Sequence, residues 1–149
     1  MKKLGLTLIA ALGLIQAAHA GEADWLTDLP KAQSTAKEQK KFVLMDFTGS
    51  DWCPPCKALH KNVLTSKEFE DFAKNNLVLV LVDFPNGKKL PADQKKANDS
   101  LAQKYSITGF PTVIVLDAAG KEVSKEVGYS GESAKEFVSK LQQKLKKQS

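Results

Sequence analysis

The sequence predicts an α/β domain in which helices cover both faces of a central mixed β-sheet. Three observations lead there. Residues 77–84 read Leu-Val-Leu-Val-Leu-Val-Asp-Phe, apolar at odd and even positions alike, and a strand of that kind needs cover on both faces. Segments of helical period alternate with short apolar runs along the chain. Near the end, Asp117-Ala118-Ala119-Gly120 is a turn signal between two strand-like runs, which makes that pair antiparallel.

Residues 1–20 stand apart from this pattern. Lys2 and Lys3 precede an apolar run over 4–15 and the small-residue end Ala18-His19-Ala20, which reads as a secretory signal peptide cleaved after Ala20. The run is shorter than the roughly 20 residues a membrane span requires. Gly21 rather than a cysteine follows the cleavage point, so no lipid attachment and no stable membrane anchor is expected. The mature chain is expected to be soluble and exported, periplasmic if the source is a Gram-negative bacterium. Residues 21–149 then form one domain around one core.

Each remaining element has its own signal. Trp25, Leu29, Ala32 and Ala36 recur at helical spacing, with Asp28 placed to cap and Pro30 tolerable in the first turn. Residues 41–47 form a short apolar strand carrying one acid, Asp46. A helix is expected over 56–64, and a further one from Ser66 through Phe69, Phe72 and Ala73. After the strand at 77–84, Pro85-Asn86-Gly87 turns the chain out. Residues 93–105 read as a polar helix with Ala97, Leu101 and Tyr105 on one side. Strands follow at 112–116 and 122–127, and a last amphipathic helix uses Ala134, Phe137, Val138, Leu141 and Leu145.

Composition narrows the function. The chain has 22 lysines and no arginine against 17 acids, a net charge of +5. Loss of Lys2 and Lys3 with the leader leaves +3. Lysines 88, 89, 95, 96, 144, 146 and 147 are read as solvated faces, and no nucleic-acid partner is expected, since such binders gather arginine and lysine on one surface. His60 is the single histidine left after processing. A Ser-His-Asp triad is therefore unsupported, no glycine-rich phosphate loop follows a strand, and no cofactor is expected.

The chemistry lies in Cys53-Pro54-Pro55-Cys56, which holds the only two cysteines. Exported proteins use structural disulfides to join distant segments; thiols spaced i and i+3 at a helix start instead close a small disulfide suited to exchange. Cys53, Cys56 and His60 would share a helix face, but a structural zinc site takes four protein ligands, and no metal is expected.

Phe47 followed by Trp52-Cys53-Pro54-Pro55-Cys56-Lys57, with Gly109-Phe110-Pro111-Thr112 downstream, resembles the thioredoxin superfamily over nearly the whole mature chain. The stretch Phe47-Thr48-Gly49-Ser50-Asp51-Trp52 is most similar to its exported branch, related to disulfide isomerases and membrane electron transporters. The resemblance implies a thioredoxin fold and thiol-disulfide oxidoreductase activity. It implies as partners protein thiols and disulfides and a membrane-borne redox protein. Pro111 is expected to follow a cis peptide bond, placing Phe110 beside the cysteines to pair with substrate, where an ordinary strand-opening proline would be trans. Trp52 is expected to border the substrate surface, or else to pack the loop.

At the helix N-cap, Cys53 is expected to be an exposed, thiolate-prone nucleophile, and Cys56, one turn in, the buried resolving thiol. Two roles are open to Asp46: a buried acid that accepts the Cys56 proton, or a carboxylate that caps or pairs with a lysine such as Lys61. It matches the superfamily's buried aspartate when one extra residue is allowed in the loop at 48–51. Pro54 and Pro55 offer no N–H toward the Cys53 sulfur, which favours a weaker oxidant and hence a reductase or isomerase. A dithiol metallochaperone and a non-catalytic binding protein of the same fold are the alternatives.

Overall fold

The computed structural model describes residues 24–147; the expected signal peptide at 1–20 lies outside them. Strand β1 (Trp25–Leu26) leads into helix α1 (Leu29–Gln39) and strand β2 (Phe42–Thr48). Helix α2 (Pro54–Leu59) continues as a π-helical turn (His60–Leu64) and is followed by α3 (Lys67–Asn76) and β3 (Leu77–Asp83). Helix α4 (Ala92–Lys104), strands β4 (Thr112–Leu116) and β5 (Glu122–Val127), and helix α5 (Ala134–Lys146) complete the domain.

The strands lie in the order β1-β3-β2-β4-β5. β3 runs parallel to β1 and β2, whereas β4 is antiparallel to both β2 and β5, so the sheet is mixed as expected. Successive residues of a strand face opposite sides, and β2 shows what that does to the core. Val43, Met45 and Phe47 join Leu29, Ala32 and Ala36 of α1 and Tyr105 on one side of the sheet. Leu44 joins Leu59, Val63, Phe69, Phe137 and Leu141 on the other. The helices α2, α3 and α5 therefore share one face with Asp46, two residues on from Leu44.

Local chemistry sets the helix ends. Asp28 Oδ1 accepts the Lys31 N–H at 3.0 Å, and Ser66 Oγ accepts that of Phe69 at 3.2 Å, each filling an otherwise unmet donor of a first turn. Ser133 and Glu136 form a reciprocal capping box on α5. In the β4-β5 turn, Asp117 Oδ1 accepts from Ala119 and Lys121 N–H groups, and Gly120 takes φ +84°, which glycine adopts without steric cost.

Three local expectations are corrected. Trp25 belongs to β1 beside Leu79, not to the first helix, which starts at Leu29 after the Asp28 cap. The helix after the cysteines ends at Leu59 and becomes π-helical over His60–Leu64. On α4, Ala97 is exposed and Asn98 is buried instead. Asn98 can be buried because its Nδ2 donates to the Asp83 carbonyl at 2.8 Å while its Oδ1 accepts from Gln94 at 2.8 Å.

Candidate active site

The site forms where the ends of β2 and β3 meet the start of β4. Thr48 lies opposite Asp83, and Phe47 opposite Thr112. The chain leaves β2 through a tight loop in which the Gly49 carbonyl accepts from Trp52 N–H at 3.2 Å and Cys53 N–H at 2.9 Å. Cys53 sits at the N-cap of α2 with extended backbone, φ −94° and ψ 105°. It is bonded to Cys56, with an S–S distance of 2.07 Å and α-carbons 5.3 Å apart.

Pro54 and Pro55 occupy the first helical turn, and the cap bond on Cys53 Sγ comes from the Cys56 N–H at 3.3 Å. Prolines suit this turn because its amides have no intrahelical acceptor, but they bring no donor to the sulfur. Cys53 and Cys56 are each 3% exposed. The exposed attacking thiol expected from the sequence is thus not observed in the disulfide form.

The loop before the cysteines is tied to the segment after β3. Asp83 accepts from Ser50 N–H at 3.0 Å and Ser50 Oγ–H at 2.7 Å, and Lys88 Nζ lies 3.5 Å from the same carboxylate. The Asp51 carboxylate accepts from the Asn86 and Gly87 amides at 3.0 and 2.6 Å. These backbone N–H bonds, which only the anion fully satisfies, hold the Asp51 carboxyl below the usual aspartate range. The Phe84 N–H donates to the Thr48 carbonyl at 2.8 Å.

Trp52 is 43% exposed, yet its indole is fixed. Nε1–H donates to the Phe84 carbonyl at 2.7 Å, and the ring lies so close to Gly49 that a β-carbon there would sit 2.4 Å from Cε2. Phe110 meets the Trp52 ring edge-on at 5.8 Å and the Phe84 ring at 5.3 Å. The Phe110-Pro111 peptide bond is cis, Pro111 is buried, and its carbonyl accepts from Gly128 N–H at 2.7 Å.

Asp46 is 4% exposed on the α2 face of β2, and its Oδ1 has no hydrogen-bond partner. Burial raises its pKa to about 7, with the negative charge of Asp83 adding to the effect. Among the described residues no lysine pairs with it, and Lys61 is exposed. The buried-acid alternative matches this geometry, whereas the Lys61 pairing does not. His60 is exposed as well, and Lys57 is exposed with Nζ donating to the Asp51 carbonyl at 2.8 Å. Sequence reasoning missed Ser50, Asp83 and Phe84. A charged residue ending an apolar run reads as the strand's exit to solvent, yet Asp83 is 6% exposed.

Residues 29–145 match the thioredoxin-like domain family. The chain belongs to this family. Within it, the disulfide bond reductase DsbH of Chlamydia pneumoniae is 36% identical over 116 residues, which are 78% of this chain and 69% of that protein. A solved DsbH oxidoreductase superposes with a TM-score of 0.77 at 32% identity, covering 92% of this chain and 95% of the other. The thioredoxin-related protein DsbJ of Chlamydia pneumoniae is 29% identical over 132 residues, 85% of this chain but 38% of DsbJ. This thioredoxin-like chain, with its paired Cys53 and Cys56, is a thiol-disulfide oxidoreductase. Among its described residues no helix is long and apolar enough to cross a membrane.

Proposed function

We propose that this protein is an exported reductase of protein disulfides, its dithiol renewed by a membrane-borne partner. The observation that carries the direction is the pair of prolines behind Cys53, which leave the Cys56 amide as the cap donor to its sulfur. A disulfide gains oxidising power when the thiolate of its reduced form is stabilised. With fewer donors on that thiolate, the disulfide is favoured and the dithiol gives its electrons away. The name of the related DsbH, a disulfide bond reductase, supports the same direction.

Cys53 attacks a substrate disulfide as the thiolate, and a mixed disulfide forms as one substrate sulfur leaves with the electron pair. The Cys56 thiol then loses its proton to the Asp46 carboxylate and attacks Cys53 Sγ. That closes the Cys53-Cys56 disulfide and releases the second substrate thiolate, so the substrate is reduced and the protein oxidised. An acid with a pKa near 7 suits both this transfer and its reverse during renewal, since it is half ionised near neutral pH. Trp52, Phe110 and Pro111 line the approach to the pair and hold the substrate segment. The leader at 1–20 directs the domain at 21–149 out of the cytoplasm, to the periplasm in a Gram-negative cell.

Equilibration with glutathione tests the direction. A potential at or below roughly −220 mV is expected, toward the thioredoxin end of the scale; a value near the roughly −120 mV of a strong oxidant overturns it. Fusion of residues 1–30 to a phosphatase active only outside the cytoplasm tests export, and an inactive fusion sinks that part.

A further inference from the structure

We propose that Asp83 is a positioning residue for thiol exchange: anchored to Ser50 at the start of the cysteine loop, it places a fixed negative charge beside Asp46 that helps Asp46 keep its proton near neutral pH. The inference rests on the reading of Asp46 as acceptor of the Cys56 proton. Its geometry is independent of that reading. Asp46 is opposite Leu81 across the parallel β2-β3 pair, and Thr48 is opposite Asp83. Because facing alternates along a strand, Asp46, Leu81 and Asp83 share one face, with the two acids on a diagonal. Both are buried, at 4% and 6% exposure.

Their surroundings differ. Asp83 accepts hydrogen bonds from the Ser50 N–H and Oγ–H and has the Lys88 ammonium 3.5 Å away. Asp46 has an orphaned Oδ1 and no ion pair among the described residues, so it is the member that takes the proton. Across β4 on this face, Glu126 of β5 lies opposite Val113, and its charge is balanced by a half-buried ion pair with Lys144 of α5. The side chains that β4 and α5 bury there, Val113, Val115, Phe137 and Leu141, are apolar. Lys57, His60 and Lys61 of α2 and the π-helical turn are exposed, and both cysteines are in the disulfide. The upward shift of Asp46, caused first by burial and then by Asp83, agrees with this arrangement.

The step that Asp83 serves is the closing one. One S–S bond, between Cys53 and substrate, breaks; another, between Cys53 and Cys56, forms; the Cys56 proton passes to Asp46, and the electron pair leaves on the substrate sulfur. A neighbouring anion makes Asp46 a stronger base for that proton. It also keeps more Asp46 protonated for the reverse step, in which Cys56 departs.

The test follows the Asp46 side-chain carboxyl by ¹³C titration in the oxidised full mature chain, alongside the pH profile of mixed-disulfide resolution. In Asp83→Asn the Asp46 midpoint is expected to fall by about one pH unit, a tenfold loss of proton affinity, the scale of two charges one strand apart in a partly screened interior. The inflection of the resolution rate should move down with it. Should the midpoint in folded Asp83→Asn stay within about 0.3 unit of wild type, the coupling is overturned, whatever the rate does. A midpoint that moves while the rate profile stays put overturns Asp46 as the proton acceptor, and the proposed role of Asp83 with it. If Asp83→Asn does not fold, Lys88→Glu reverses the exposed charge beside Asp83 instead. It must raise the Asp46 midpoint by at least about 0.3 unit, and a smaller change overturns the proposal.

Discussion

Trp52 and Phe84, 32 residues apart in the chain, are joined by a 2.7 Å hydrogen bond from the indole N–H to the backbone carbonyl. The bond holds an exposed aromatic ring in one place beside the cysteines, and Phe110 completes the cluster by contacting both rings. If Trp52 borders the proposed substrate surface, a ring so fixed meets substrate without the ordering cost that a free side chain would carry.

Gly49→Ala tests that fixation. The new methyl would fall 2.4 Å from Cε2 and 2.6 Å from Nε1 of Trp52, closer than any packed pair of atoms tolerates. The indole must leave, and its bond to Phe84 with it. We expect a loss of about 1–3 kcal/mol in urea unfolding, and a shift of the Trp52 indole N–H resonance toward that of a solvated tryptophan. An unmoved resonance would refute the close packing.

Removal of the resolving thiol should stall the reaction halfway. In Cys56→Ala, Cys53 remains able to attack but nothing closes the ring, so mixed disulfides with protein substrates should accumulate as thiol-sensitive bands on non-reducing gels. Cys53→Ser should form none and should lose insulin reduction down to the uncatalysed rate. Trapping by Cys53→Ser rather than Cys56→Ala would reverse the two roles.

Asp46 makes stability depend on pH in a defined sense. Its native pKa of about 7 exceeds the ordinary 3.8, so the native state binds the extra proton between those values and stability falls as pH rises through them. The stabilising contribution is complete below pH 3.8 and lost above about 7. Asp46→Asn should therefore gain on the order of 2–4 kcal/mol over wild type at alkaline pH, with the gain shrinking toward acid pH. Urea unfolding of the oxidised proteins at both ends of this window measures it. A difference that does not vary with pH would remove Asp46 from the titrating groups.

Asp51 has the opposite sign. Its carboxyl is held below the ordinary value by the Asn86 and Gly87 amides, so its stabilising contribution is present above that value and lost as pH falls through the lowered one. The amide resonances of Asn86 and Gly87 should titrate together, with a midpoint under 3.8. In Asp51→Asn this titration should vanish. Persistence of the same curve would assign it to another group.

Apolar pattern made much of the architecture legible in advance. The unbroken run in β3 announced a strand covered on both faces, and the alternating helices announced what covers it. Periodicity failed where burial depended on a partner. Asn98 looks like a surface residue until the Asp83 carbonyl and Gln94 are seen beside it, and Ala97 looked inward only because it is apolar. β1 is too short, at two residues, for any alternation to reveal it. The cysteines, Trp52, Phe110, Pro111 and Asp46 were singled out as candidates by motif and type. Asp83 was not, because its place beside Asp46 exists only in the β2-β3 register.

That register also ties the chemistry to the history of the chain. The cysteine loop, the segment after β3 and the start of β4 come from three stretches of sequence, and they meet only once the central strands have paired. Contacts of such long separation are slow to form. A nascent chain that has made the Cys53 helix but not yet docked β4 carries two thiols without their aromatic cluster or their acid pair. Exchange activity is therefore a property of the finished sheet, and its recovery during refolding should trail that of helix signal.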